Sequence, residues 1–110
     1  MHSVVTEQGD ALLARIEDDH MVFEATIERV EVTDVTLRFY RGDERIGSIY
    51  NDDGTERTMA RLTVPGETDF IGVEVPKSFV RELLDAAVET DRIQNPEMVE
   101  GYRLRVLRDA

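Results

Sequence analysis

Apolar residues recur at every second position along most of this chain, and this period constrains the fold more than any other feature of the sequence. In the stretch "MVFEATIERVEV", Phe23, Ala25 and Ile27 alternate with polar residues. The same alternation recurs in "VTLRFY", "RIGSIY", "TMARLTV" and "DFIGVEV". A period of two is typical of strands that bury one face and expose the other, so the pattern predicts a mainly antiparallel β structure.

A change of phase within the first long run predicts a bend. The apolar positions move from Ile27 to Val30 and Val32. Because such a shift exchanges the two faces of a strand, a bulge or bend is expected near Arg29. The earlier segment "DALLARIEDD" fits either a strand or one face of a helix, and a strand is favoured.

Two loop-like motifs are predicted to be turns and not ligand sites. Residues 41–44 read Arg-Gly-Asp-Glu between two alternating runs, where a tight hairpin needs residues that tolerate positive φ. Residues 51–54 read Asn-Asp-Asp-Gly, which suggests a calcium loop. Such a loop places a bidentate glutamate about six residues beyond its glycine, whereas Glu56 stands only two residues beyond Gly54. A second hairpin turn is therefore expected there.

One segment, "PKSFVRELLDAAVETD", has the period of an amphipathic helix. Its apolar stripe comprises Val80, Leu83, Leu84, Ala87 and Val88. Pro76 stands at the entrance of this helix, which is expected to end before Asn95. The stretch "YRLRVL" then alternates again and predicts a last strand over residues 101–107, with Arg103 and Arg105 on its outward face.

These elements predict an α+β fold in a single domain, residues 1–110. With 110 residues, of which 41% are hydrophobic, the chain is long enough for one core and too short for two. The expected architecture is mainly antiparallel β, a bent sheet or small barrel of about six or seven strands, with one amphipathic helix before the last strand.

The acidic balance of the chain predicts its environment. There are 24 Asp plus Glu and 13 Lys plus Arg residues, which gives a net charge of -11, and Lys77 is the single lysine. The carboxylates are scattered among periodic apolar segments, so they indicate a folded acidic surface. Such a composition is typical of halophilic organisms, because a Debye length of about 3 Å at 1 M salt screens the repulsion between carboxylates. An ordinary acidic protein is the alternative.

The chain is expected to be cytoplasmic. Its start, "MHSVVTEQGD", lacks a basic region followed by an apolar one. No stretch approaches the ~18 consecutive apolar residues of a membrane span. We therefore expect no association with a membrane.

Little in the sequence points to catalysis, and we expect a protein without enzymatic activity, cofactor or metal. Cysteine is absent, which removes thiolate ligands and a cysteine nucleophile. His2 and His20 do not have the spacing of metal ligands, and no serine stands in a Gly-x-Ser-x-Gly elbow. Gly-rich phosphate loops are also absent.

Arginine supplies the candidate binding face. Its predicted members point away from the core or flank the turns: Arg38, Tyr40, Arg45, Arg57, Arg61, Arg103 and Arg105. Such a face suits a phosphate group or an acidic partner, with tyrosine stacking on a base. The alternative is cross-strand pairing with Glu24, Glu28 and Glu74, and it is favoured because carboxylates outnumber arginines on the same segments.

The function predicted from these features is a non-catalytic interaction or regulatory module of a halophilic organism. Unpaired strand edges are available for pairing with another chain. We expect a homodimer formed through the last strand, residues 101–107, together with a protein partner that the sequence does not identify. The alternative is a small β-barrel that binds nucleic acid through the arginine-rich face.

Overall fold

The computed structural model contains two antiparallel sheets and describes residues 2–17, 19–20, 22–51, 57–63 and 70–107. The strands are β1 His2–Gln8, β2 Ala11–Glu17, β3 Val22–Ile27, β4 Arg29–Val32, β5 Leu37–Arg41, β6 Glu44–Asn51, β7 Thr58–Thr63 and β8 Phe70–Glu74. β1, β2 and β3 form a three-stranded sheet, and β4 to β8 form a five-stranded sheet in chain order. The predicted antiparallel α+β arrangement is confirmed, and the described strands do not close into a barrel.

Eight strands are described, which is more than the six or seven predicted. The strand favoured for the "DALLARIEDD" segment is confirmed as β2. The extra strand at the start is β1, which pairs with β2 across a turn that contains Gly9 with φ 63. β1 was missed because its Val4 and Val5 are adjacent and give no alternating signal.

The bend predicted near Arg29 is confirmed. Glu28 lies between β3 and β4, and these two strands belong to different sheets. Ile27 before the bend and Val30 and Val32 after it are all buried. The change of phase in the sequence is therefore the point at which the chain passes from one sheet to the other while its apolar side chains stay in the same core.

The core lies between the two sheets, the helix α1 Lys77–Glu89 and the helical segment that follows it. The sheets contribute the buried residues Leu12, Ala14, Ile16, Ala25, Ile27, Val30, Val32, Leu37, Phe39, Ile49, Ala60 and Leu62. The helix begins directly after Pro76, as predicted, and buries Phe79, Val80, Leu83, Leu84 and Ala87. Val88, the last residue of the predicted stripe, is 45% exposed.

The predicted last strand over residues 101–107 is wrong, because this segment is helical. A 3-10 turn, Pro96–Met98, leads into a short helix α2, Val99–Tyr102, and a π-helical turn, Arg103–Leu107. Tyr102, Val106 and Leu107 are buried in the core, whereas Leu104 is 60% exposed. The buried residues are spaced i, i+4 and i+5, and this spacing places them on one helical face. The last described strand is therefore β8, which precedes α1, and a helical segment replaces the strand that was expected after α1.

α1 ends in a left-handed turn that directs the chain back to the sheet. Asp91 has φ 58, and the Arg92 N–H donates to the Ala87 carbonyl at 2.8 Å while the Asp91 N–H donates to the Val88 carbonyl at 3.2 Å. These two hydrogen bonds form a Schellman motif, which normally carries glycine at the left-handed position. The motif satisfies the last carbonyls of α1 and sends residues 92–95 along the outer edge of β4.

The hairpin predicted at residues 41–44 is confirmed. β5 ends at Arg41 and β6 begins at Glu44, and Gly42 has φ 61, which explains the glycine of the Arg-Gly-Asp motif. The second predicted turn, residues 51–54, lies outside the described residues from position 52 onwards and stays a prediction.

Candidate binding face and open sheet edge

The five-stranded sheet has an outer face that points away from the core. Along its strands, buried residues such as Phe39, Ile49 and Leu62 alternate with residues that are half-buried or exposed. The described residues of this outer face are Arg29, Glu31, Arg38, Tyr40, Arg45, Ser48, Tyr50, Met59, Arg61, Gly72 and Glu74. The antiparallel register places their side chains on one surface, because residues directly opposite each other share a face.

The charge of the outer face is opposite to that of the whole chain. Among its described residues are four arginines, Arg29, Arg38, Arg45 and Arg61, and two glutamates, Glu31 and Glu74. The face therefore has a formal charge of about +2 by this count, on a chain whose net charge is -11. A local excess of arginine on an acidic protein favours the approach of a negatively charged group to this surface.

Two arginines of the outer face stack on tyrosines. The guanidinium carbon of Arg29 lies 4.4 Å from the centre of the Tyr40 ring, and that of Arg61 lies 5.0 Å from the centre of the Tyr50 ring. Both distances are within the range of cation–π contacts. Arg29 is also held by hydrogen bonds to Gln94 Oε1 at 2.9 Å and to the Gly42 carbonyl at 3.2 Å. Arg29 therefore has a structural role at the rim of the face.

Cross-strand pairing with carboxylates is present, but its partners differ from the predicted ones. Arg38 Nη1 lies 3.3 Å from Glu31 Oε1, which also accepts a hydrogen bond from the Tyr40 hydroxyl at 3.3 Å. Glu24 pairs with Arg15 on the three-stranded sheet, and Glu28 Oε1 accepts a hydrogen bond from the Gly42 N–H. One carboxylate thus neutralises part of the Arg38 charge, and the remaining N–H groups of that guanidinium are available to another acceptor.

The structure brings together only part of the predicted binding face. Arg38, Tyr40, Arg45 and Arg61 lie on the outer face, and Arg57 directly precedes β7 at its margin. The other two arginines lie on the C-terminal π-helical turn, where they meet different carboxylates. Arg103 pairs with Asp85 of α1 at 2.7 Å, and Arg105 with Asp34 at 3.7 Å.

The outer-face residues that were not predicted as site residues include Arg29, Ser48 and Tyr50. Ser48 and Tyr50 flank the buried Ile49, so the alternation of "RIGSIY" contains the signal that identifies them. Arg29 stands at the bend, where the phase of the alternation is ambiguous, and its position depends on the pairing of β4 with β5.

The two edge strands of the five-stranded sheet, β4 and β8, differ in the hydrogen bonding of their outward backbone groups. At β4, the Val30 N–H donates to the Arg92 carbonyl at 2.9 Å, and the Val30 carbonyl accepts from the Gln94 N–H at 2.8 Å. The side-chain amide of Asn95 bonds the backbone of Val32 in the same way. Residues 92–95 therefore cover this edge. At β8, no strand among the described residues pairs on the side away from β7.

Other features that indicate chemistry are few. In the parts of the chain that the structure describes, three or more metal-ligating side chains do not converge at any point. A shallow groove beside the end of α1 is lined by Val88, Asp91, Ile93, Pro96, Val99, Glu100 and Arg103. Burial raises the pKa of the Tyr102 phenol well above its usual value, but this side chain lies in the core.

Comparisons with known proteins show no relationship. The chain matches no protein-family model, no curated protein and no solved structure at a significant level. The described helices are too short or too polar to cross a membrane.

Proposed function

We propose that this protein is a non-catalytic interaction module that self-associates through the edge of β8. The observation that carries this proposal is the contrast between the two edges of the five-stranded sheet. Residues 92–95 saturate the backbone of β4, whereas the outward backbone groups of β8 have no partner strand among the described residues. Proteins cover such an edge or use it for pairing with another chain.

The outward backbone groups of β8 follow from its register. The Val75 N–H donates to the Thr58 carbonyl at 2.9 Å, which shows that the backbone N–H and C=O groups of Val75 are directed toward β7. Because N–H directions alternate along a strand, Val73 and Ile71 also point their backbone groups toward β7, and Gly72 and Glu74 point theirs away. Gly72 stands at the centre of β8, where an added Cβ meets nothing within 4 Å.

A second copy of the chain is the partner that best suits this edge. Two β8 strands related by a two-fold axis form an antiparallel pair with the same residues on both sides. The segment Phe70–Glu74 contains one ionisable residue, Glu74, so pairing does not bring several charges together at the strand itself. The remaining charge of two chains, each at -11, opposes association at low salt and is screened at high salt. The self-associating strand is then β8, and not residues 101–107.

Sedimentation in 2 M KCl tests this proposal. The wild type is expected at twice the monomer mass. Gly72→Pro removes an outward N–H without removing a donor to β7, and it should give a folded monomer. Gly72→Ala, which keeps that N–H, is the matched control and should stay dimeric. A monomeric wild type, or a dimeric Gly72→Pro variant, would rule out pairing through β8.

The second candidate function is binding of nucleic acid through the outer face. It is favoured by the local excess of arginine and by the stacks of Arg29 on Tyr40 and Arg61 on Tyr50. Arginine and aromatic side chains together are typical of surfaces that bind single strands. Affinity for a single-stranded oligonucleotide should be lost in the double variant Arg38→Gln with Arg61→Gln. It should survive in Arg15→Gln with Arg105→Gln, which removes the same charge from other surfaces.

The environment in which we place this module is the cytoplasm of a halophilic organism. The support is compositional: the net charge of -11 and the near absence of lysine. In concentrated salt a basic outer face on an acidic protein retains only short-range attraction, since screening removes its longer-range field. Contacts by hydrogen bonding and stacking would then carry most of the binding.

A further inference from the structure

The groove beside the C-terminal end of α1 combines an apolar surface with unpaired carboxylates. Four of the residues that line it are apolar, namely Val88, Ile93, Pro96 and Val99, and the other three are charged, namely Asp91, Glu100 and Arg103. The volume of this groove is about 370 Å³, which lies at the lower end of the volumes of binding pockets.

The apolar stripe of α1 extends further than the core that covers it. Leu84 and Ala87 of this stripe are fully buried, whereas Val88, the next residue of the stripe, is 45% exposed. Ile93 and Val99, which also line the groove, are only partly buried against the core. Another molecule that covers this apolar surface would therefore bind with a favourable hydrophobic contribution.

The charges of the groove favour a cationic partner. Asp91 and Glu100 are exposed, and their side chains have no hydrogen bond or ion pair among the described residues. The guanidinium of Arg103 pairs with Asp85 at 2.7 Å, and it forms no ion pair with either of these carboxylates. The last turn of α1 contains no basic residue, so the partial negative charge at this end of the helix adds to that of the carboxylates.

We propose that this groove binds a basic segment of another protein. An apolar side chain of the segment lies against Val88, and arginine or lysine residues next to it pair with Asp91 and Glu100. The two carboxylates disfavour a ligand that carries phosphate, and a shallow groove cannot enclose a small molecule as a cofactor pocket does. Binding here rests on the proposed function as an interaction module, but it does not need self-association through β8, because no residue of the groove belongs to that strand.

An NMR titration of the isotope-labelled protein in 2 M KCl tests the groove with a synthetic probe, the capped pentapeptide Leu-Arg-Leu-Arg-Leu. The peptide should shift the amide signals of residues 88–103. Peptides with glutamate in place of arginine, or with serine in place of leucine, should not shift them, because each change removes one of the two complementary features. Absence of shifts at residues 88–103, or equal shifts with the glutamate peptide, would overturn the proposal.

The same titration of Gly72→Pro separates this site from the edge of β8. The variant should bind the peptide as the wild type does, whatever the oligomeric state of either protein. A loss of peptide binding in Gly72→Pro would show that the peptide binds at the edge of β8 and would contradict the groove.

A cation placed in the groove gives a second test. Val88→Lys puts an ammonium group at the C-terminal end of α1, where the helix dipole favours it, so the fold should keep its melting temperature. The added charge repels the arginines of the peptide, and the affinity should fall by at least about tenfold. Val35→Lys, at another exposed valine, is the matched control and should bind as the wild type does. Equal affinities of the two variants would rule out the groove.

Neutral isosteres test the two carboxylates. Asp91→Asn with Glu100→Gln should weaken binding of the peptide by about threefold, which is the size expected for two exposed ion pairs. Asp43→Asn with Glu44→Gln removes the same charge from the hairpin between β5 and β6, where both residues are exposed, and it should leave the affinity unchanged. If both double variants lose affinity equally, the attraction comes from the net charge of the chain and not from the groove.

Discussion

The side-chain amide of Asn95 forms two hydrogen bonds with the backbone of Val32. Its Oδ1 accepts from the Val32 N–H at 2.9 Å, and its Nδ2 donates to the Val32 carbonyl. The amide therefore pairs with β4 as a peptide group of a neighbouring strand would. It completes the cover that begins with Arg92 and Gln94 at Val30, whereas no strand among the described residues pairs with β8 on its side away from β7.

Replacing Asn95 with aspartate should destabilise the protein. Asn95→Asp keeps the acceptor but replaces the donor with an oxygen that faces the Val32 carbonyl, and we expect a loss of about 1–3 kcal/mol in the free energy of unfolding. Gln94→Glu makes the same chemical change one residue away, where the side-chain oxygen accepts from Arg29. It should change stability by less than about 0.5 kcal/mol. Denaturant titration compares the two, and equal losses would contradict the role of Asn95.

Glycine at position 91 should stabilise the protein. Asp91 has φ 58 at the end of α1, a conformation that glycine adopts without steric cost. We expect Asp91→Gly to add about 0.5–1 kcal/mol to the free energy of unfolding. Asp91→Asn removes the same charge and should add less, and Asp91→Ala should destabilise because Cβ is strained at this φ. If all three variants are equally stable, the effect comes from charge and not from backbone conformation.

Tyr102→Phe should stabilise the protein, and more so at alkaline pH. The Tyr102 hydroxyl is buried and has no hydrogen-bond partner among the described residues, which costs about 1–3 kcal/mol. Burial also raises the pKa of this phenol in the folded state. Above about pH 10 the unfolded chain loses a proton that the folded chain keeps, so wild-type stability falls by about 1.4 kcal/mol per pH unit. Denaturant titrations from pH 7 to 11 should show a gap between variant and wild type that widens above pH 10, and a constant gap would contradict this origin.

Gly47 should not tolerate a side chain. A Cβ at this buried position of β6 would lie 2.9 Å from the Arg61 carbonyl oxygen and 3.3 Å from Leu62 Cδ2. Because backbone gives way less easily than a side chain, we expect Gly47→Ala to cost about 1–3 kcal/mol. Gly72→Ala, in the same sheet and with open space around its Cβ, is the control and should be neutral. Thermal melts of both variants in 2 M KCl would show the difference, and equal melting temperatures would refute it.

Salt should stabilise the fold strongly. The net charge of -11 on 110 residues produces repulsion that salt screens, so the melting temperature should rise by many degrees between roughly 0.1 M and 2 M KCl. Calcium at constant high ionic strength should add nothing further, because residues 51–54 are predicted to be a turn. A melting temperature that does not change with KCl would argue against a halophilic source.

Several features of this fold follow from the sequence alone, because each depends on neighbours in the chain. A strand with one buried face must alternate, and a helix on a core must carry a stripe with a period of 3.6. These local rules predicted the bend near Arg29, the hairpin with Gly42 and the helix after Pro76, and they left the segment of β2 open between strand and helix. The outward direction of Arg38, Tyr40 and Arg61 followed from the same alternation.

The structure of residues 101–107 and the composition of the binding face were decided by tertiary contacts. Over so few residues, alternation and a helical face are hard to distinguish: Tyr102 and Val106 satisfy both patterns, and only burial of Leu107 with exposure of Leu104 separates them. That burial depends on α1 and the sheets, which lie far away in the chain. The helical turn then places Arg103 and Arg105 beside Asp85 and Asp34 and not on the outer face.

Which edge of the sheet is covered also depends on pairing between distant residues. In the sequence, Asn95 only marks a limit before which the helix is expected to end. No neighbouring residue indicates that its side chain forms hydrogen bonds with the Val32 backbone. The contact forms because the left-handed turn at Asp91 directs residues 92–95 along β4, where buried backbone groups must find partners. Local periodicity specifies which face of an element is buried, whereas the choice of its neighbour is made by packing and hydrogen bonding across the whole fold.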